Sequence, residues 1–359
     1  MIDNAGPRYH HRVRTRRLGD QTVTAIGGGS LDLATSAARG VPARDVERAL
    51  HEAIELGVAL FDVAADTDSE RLAGNCVREL RARDRMVVAT RVALLDERPG
   101  APKRDTLRER LPVAYLQQRI EASLRATRLE VLPLAQLPLR PAWLASPAWP
   151  EVVGTCARLV REGKVLAWGV LLDEPGDEAA PALLAEPWLG AVSVVYHLCD
   201  RRAEPLFEAA AKRELAVLAR QPLAGGALAG ALGPGAKLPP RDDRHALDAA
   251  ALERIAVAMA RLSALVKREP PAARSCDAAR EIAERLRQPD RPGQPGRPEH
   301  IECSDVAELA LRFAIDRAGI ALPRLHRREH LIDAIAAASA PPLSAALVAR
   351  IADDIAPGG

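Results

Sequence analysis

Aromatic side chains are scarce in this chain, with three Phe, three Tyr and four Trp among 359 residues. Aliphatic and alanine side chains therefore have to fill the core, and a surface that works by stacking bases or sugars is not expected. Cysteine is sparse too. Cys76, Cys156, Cys199, Cys276 and Cys303 form no CxxC pair and have no histidine at ligand spacing. That argues against a disulfide frame or a zinc site and predicts reduced thiols in a cytoplasm. No apolar run approaches the ~18 residues of a membrane span, and the N-terminal segment is polar and basic, so neither export nor membrane insertion is expected. A formal net charge of +2 exerts no long-range pull on nucleic acid. The arginines at Arg12, Arg14, Arg16 and Arg17 read as a short solvated tail.

What is present is alternation. Apolar runs at Thr22–Ile26, Val58–Val63, Met86–Ala93, Val131–Leu137, Val165–Leu171, Ala191–Tyr196, Leu215–Arg220 and Gly319–Pro323 are separated by segments of helical period such as Ala43–Leu56 and Tyr115–Arg128. In this reading Gly27-Gly28-Gly29 stops the first run, and Pro133 is awkward in a parallel sheet. Continuous apolar strands between amphipathic helices predict a parallel sheet covered on its outside. About eight such units in roughly 300 residues favour a closed (β/α)8 TIM barrel over an open doubly wound sheet. No GxGxxG follows the first run, which lowers the dinucleotide-fold alternative. The expected organisation is a tail over residues 1–13 and a single barrel over 14–356. A Pro/Arg-rich insertion over 269–302, before the last barrel strand, reads PDRPGQPGRPE in part. It is expected to stay mobile, as a tolerated surface loop, a lid or an arm for a protein partner.

Several segments, in order, resemble the aldo-keto reductases. Leu60-Phe61-Asp62-Val63-Ala64-Ala65 followed by Ser69-Glu70 is similar to the family's "FDTA…YG.SE". Val88-Ala89-Thr90-Arg91, Val194-Val195-Tyr196-His197-Leu198 and Ala310-Leu311-Arg312-Phe313 fall at matching places. Ala219-Arg220-Gln221-Pro222-Leu223-Ala224-Gly225-Gly226 resembles "ARSPLAGG". The resemblance runs from about Arg14 to Ala338. It implies a site at the C-terminal rim of the barrel, NADPH as cofactor and a small carbonyl compound as substrate. Reducing a carbonyl leaves an alkoxide, so an acid must supply a proton. The family uses a tyrosine tuned by a lysine, an aspartate that orients the lysine, and a histidine.

Carried across, the aspartate is Asp62. The tyrosine position falls on Asp66 and Thr67, the lysine on Arg91 and the histidine on Pro138. Arg91 is expected to grip Asp62 with both prongs, either as a strut or as a catalytic remnant. The resemblance further implies that Tyr196 stacks on a nicotinamide or adjoins substrate. Ser193 stands for the family's glutamine, Gln221 and Leu223 lie in the cofactor loop, and Arg324 and Arg327, with Arg328, attract phosphate at a helix start. A solvated basic turn explains the same arginines. The first reading is a weak or inactive reductase, a pseudoenzyme. The second is an oxidoreductase or lyase with a substitute acid, His197, Tyr196 or Asp66. A third is a scaffold. No metal ligands are singled out; Asp66 and Asp68 read as turn formers, and Trp143 and Trp149 as an apolar wall or loop packing.

Overall fold

The computed structural model describes residues 13–95, 106–173, 180–239, 242–247, 249–266, 303 and 305–355. The insertion expected at 269–302 and nearly all of the 1–13 tail lie outside the described residues.

Ten strands are described, and two of them stand apart. β1 (Thr15–Leu18) and β2 (Gln21–Thr24) form an antiparallel hairpin. The other eight are β3 (Gly28–Leu31), β4 (Leu60–Val63), β5 (Val87–Arg91), β6 (Leu132–Pro138), β7 (Val165–Leu172), β8 (Leu189–Val195), β9 (Ala216–Arg220) and β10 (Gly319–Leu322). Each pairs in parallel with the next. The ring is joined by a parallel bridge between Ile26 and Ala321. Gly27 N donates to Ala321 O at 2.9 Å, and Gly29 N donates to Pro323 O at 2.7 Å. The predicted (β/α)8 barrel is the observed fold.

Side chains alternate across this ring. Leu60, Val87, Ala89, Leu134, Ala191, Leu218, Ile320 and Leu322 fill the inside, while Phe61, Val63, Val88, Val192, Val194 and Ala219 point out to the helices. Leu18 and Val23 of the hairpin join the inner cluster, so the hairpin plugs the N-terminal end of the barrel. The opposite end stays free for polar groups.

Two sequence expectations change here. The glycine run does not end the first barrel strand; it supplies that strand. A Cβ on Gly28 would meet the Phe61 ring at 2.4 Å, and one on Gly29 would meet the Leu322 carbonyl oxygen at 2.0 Å. At Gly29 the obstacle is backbone, so only glycine fits at the seam. Three of the five residues of the apolar run at Thr22–Ile26, Thr22, Val23 and Thr24, belong to the hairpin instead. Pro133 does not break β6 either. The paired residues on its two sides, Leu132 and Leu134, bridge Val165 and Ala167.

Candidate functional site

The fold brings one charged group into the barrel from each of several strand ends. Asp62, on the inner face of β4, is completely buried. Arg91, at the end of β5, donates from Nε to Asp62 Oδ1 at 3.0 Å, and its second prong closes on Oδ2. Gln136 of β6 donates from Nε2 to Oδ1 at 2.9 Å, and the backbone N of Ser30 donates to Oδ2 at 3.3 Å. Burial alone would raise the Asp62 pKa, but Arg91, Gln136 and Arg220 together outweigh it and hold the carboxyl below its usual range. The forked pair expected from the sequence is present.

A second guanidinium, missed in the sequence, belongs to this group. Arg220 ends β9 two residues beyond the inward-facing Leu218. Its Nη2 donates to Leu172 O at 3.1 Å and to Asp173 Oδ1 at 3.0 Å. Its cation is disfavoured first by burial and then by Arg91, and favoured by Asp173 and Asp62. Strand parity was the signal: Ala216, Leu218 and Arg220 share a face. The side chain could have been placed inward from that alone.

Two further polar atoms are buried in the barrel without a hydrogen-bond partner among the described residues, Gln136 Oε1 and Ser193 Oγ. Gln136 lies over Gly169 on the neighbouring strand, where a Cβ would stand 3.3 Å from Gln136 Cγ. An acceptor and a hydroxyl on the inner wall suit a primary amide, which both donates and accepts.

The remaining residues named from the sequence are placed elsewhere. Asp66 caps the helix Thr67–Glu79, accepting from Ser69 N at 2.8 Å. Tyr196 follows Val192 and Val194 on the outer face of β8. It is fully buried, stacked on Phe313 at 5.9 Å between ring centroids and edge-on to Phe207 at 4.9 Å. Its hydroxyl donates to Glu204 at 2.7 Å, and burial followed by Glu204 pushes its pKa far up. That position corrects the stacking expected for it, because an outward ring does not line the barrel mouth. His197 is buried, and its Nδ1 accepts from Cys199 N at 3.2 Å. Burial brings its pKa down to about 4, against the pull of Asp200. As an acid it would be spent at neutral pH. Trp143 packs into the core, and Trp149 donates to Glu186 at 3.2 Å.

Gln221 and Leu223 open the turn after β9, where Gln221 (φ 52°), Ala224 (φ 48°), Gly225 (φ 66°) and Gly226 (φ 100°) are left-handed. Arg324 follows β10 and lines a small pocket with Ser30, Leu31, Ser36, Leu50 and His326. Burial and the cations of Arg324, His330, Arg327 and Arg39 lower His326 to about 3. Arg328 is tied to Glu52 at 2.5 Å. On the outside, Glu47, His51 and Glu79 cluster, with His51 Nε2 3.2 Å from Glu79 Oε2 across two helices.

An eight-stranded parallel barrel with its charged groups at the C-terminal strand ends defines a TIM-barrel protein with an enzyme-like mouth. The model of the aldo/keto reductase family matches residues 25–355, and the chain belongs to that family. Solved structures agree on the fold. Aldo-keto reductase AKR11C1 from Bacillus halodurans, in its holo form, superposes with a TM-score of 0.62 at 18% identity, covering 96% of this chain and 97% of the other. Glycerol dehydrogenase AKR11B4 from Gluconobacter oxydans gives 0.65 at 20% identity, with 96% and 97% covered. An aldo-keto reductase from Klebsiella pneumoniae in complex with NADPH gives 0.60 at 23%, with 97% and 96% covered. No curated protein sequence matches this one. Among the described residues, no helix is long and apolar enough to cross a membrane.

Proposed function

We propose that this chain is a nicotinamide-dinucleotide-binding aldo/keto reductase in which the Asp62–Arg91 pair is a strut and not a proton relay, so that ordinary carbonyl reduction is weak or absent. The observation that carries the reading is the set of groups around Asp62. Its carboxylate takes bonds from a guanidinium, an amide and a backbone N–H, and no phenol is among them. Arginine keeps its proton in any protein environment, so Arg91 can hold charge but not pass a proton on. Tyr196 and His197, the named substitutes, are engaged with Glu204 and with Cys199 N. Asp66 is held in its helix cap.

The cofactor proposed is NADPH, and reduced nicotinamide supplies a hydride when bound. The wall atoms Gln136 Oε1 and Ser193 Oγ complement its carboxamide. The turn at Gln221 and Leu223 and the arginines Arg324 and Arg327 lie at neighbouring strand ends, where phosphates would be neutralised. Support comes from the Klebsiella pneumoniae relative, whose structure holds NADPH. Titration of NADPH emission with the full chain is expected to saturate. Aldehyde-dependent oxidation of NADPH is expected to run far below the ~1 s⁻¹ that marks the lower end of ordinary enzymes. Faster turnover would refute the strut, and failure to bind at millimolar cofactor would leave the scaffold reading.

A further inference from the structure

The barrel mouth holds more buried positive charge than its carboxylates offset. Asp62 is already held by both prongs of Arg91 and acts on Arg220 only through space. The acid bonded to Arg220 is Asp173, whose side chain is 77% exposed, whereas that of Arg220 is 11% exposed. A carboxylate in water offsets little of a charge held out of water. Asp32 also acts on Arg91, but its oxygens are engaged in capping, accepting from Thr35 N at 2.8 Å and Thr35 Oγ1 at 2.9 Å. Arg220 Nε is buried and meets no acceptor among the described residues. An unused N–H on a desolvated guanidinium beside a second guanidinium is a pattern that an anion completes.

The geometry points to Arg220, backed by Arg91, as the anchor for a small carboxylate, so that the substrate accepted in this mouth is an acidic compound and not a neutral aldehyde. This rests on the cofactor-binding reading above for its functional meaning, though not for the anion site itself. A pyrophosphate of the cofactor has the same chemistry, and the test separates the two sources.

Calorimetry on the full chain would use oxalate as the probe and its uncharged isostere oxamide as the control, each with and without saturating NADP⁺. Oxalate is expected to bind and oxamide not to bind. Oxalate affinity should survive NADP⁺. It should fall about tenfold or more in Arg220→Gln, and by less in Arg220→Lys. NADP⁺ affinity should change by less than about twofold in either variant. Displacement of oxalate by NADP⁺, with loss of NADP⁺ affinity in Arg220→Gln, would assign Arg220 to the cofactor and overturn the proposal. Equal binding of oxalate and oxamide, or no oxalate binding, would overturn it without any variant. If oxalate binds as expected and NADP⁺ does not bind at all, the anion site stands and the cofactor reading falls.

Discussion

Asp62 keeps its charge in a fully buried position because its donors outweigh the cost of leaving water. Removing that charge leaves the Arg91 guanidinium without its ion-pair partner. Asp62→Asn is therefore expected to cost about 3 kcal/mol, the range seen when one partner of a buried pair is deleted. A lower urea midpoint at unchanged slope would register it. Because the folded pKa is depressed, this contribution is present above the unfolded carboxylate's ~3.9 and is lost as pH falls through the lower folded value. The same residue shows how far single-residue reading reaches. Asp62 and its grip by Arg91 were legible because both sit in short motifs of fixed spacing. Gln136 and Arg220 do not stand out, since an amide and an arginine at a strand end carry no signature until the alternation of the strand is counted through. Tyr196 misled for the opposite reason: its motif survives, but its parity with Val192 and Val194 turns the ring outward.

At the scale of elements, the seam between β3 and β10 leaves no room for a side chain. A methyl on Gly29 would lie 2.0 Å from a backbone oxygen, which no rotamer can relieve. Gly29→Ala is expected to destabilise by about 3 kcal/mol or to prevent folding. Gly154, inside the helix Trp149–Arg161, has nothing within 4 Å of the place a methyl would take. Gly154→Ala should stabilise by about 0.5–1 kcal/mol through helix propensity. Thermal melts of the two variants side by side would check both signs. These glycines also mark where element reading stops. Apolar runs of five to eight residues announced the interior strands, because a strand covered on both faces has little else in it. The first strand reads Gly-Gly-Ser-Leu, and its strand character comes from partners hundreds of residues away, not from local propensity.

For the molecule as a whole, one buried and one half-buried histidine set an acid limit. His197 and His326 have folded pKa values of about 4 and about 3, each lowered first by burial. Unfolding lets each take up a proton near pH 6.5, so stability is complete above that value and declines as pH falls from there toward the folded values. At pH 5 the loss is about 2 kcal/mol for each site. A melting temperature that drops between pH 7 and pH 5, and drops less in His197→Gln, would confirm the sign. A flat profile would contradict it.

Joining the ring through Ile26 and Ala321 has a consequence for how the chain comes into being. Residues near the start of synthesis can finish their pairing only when residues near its end have left the ribosome. Until then the nascent polypeptide carries two unsatisfied edges, each able to recruit a strand from a neighbouring molecule. The long wait between first and last strand makes exposure to aggregation during synthesis a property of the topology itself, whatever the barrel mouth does.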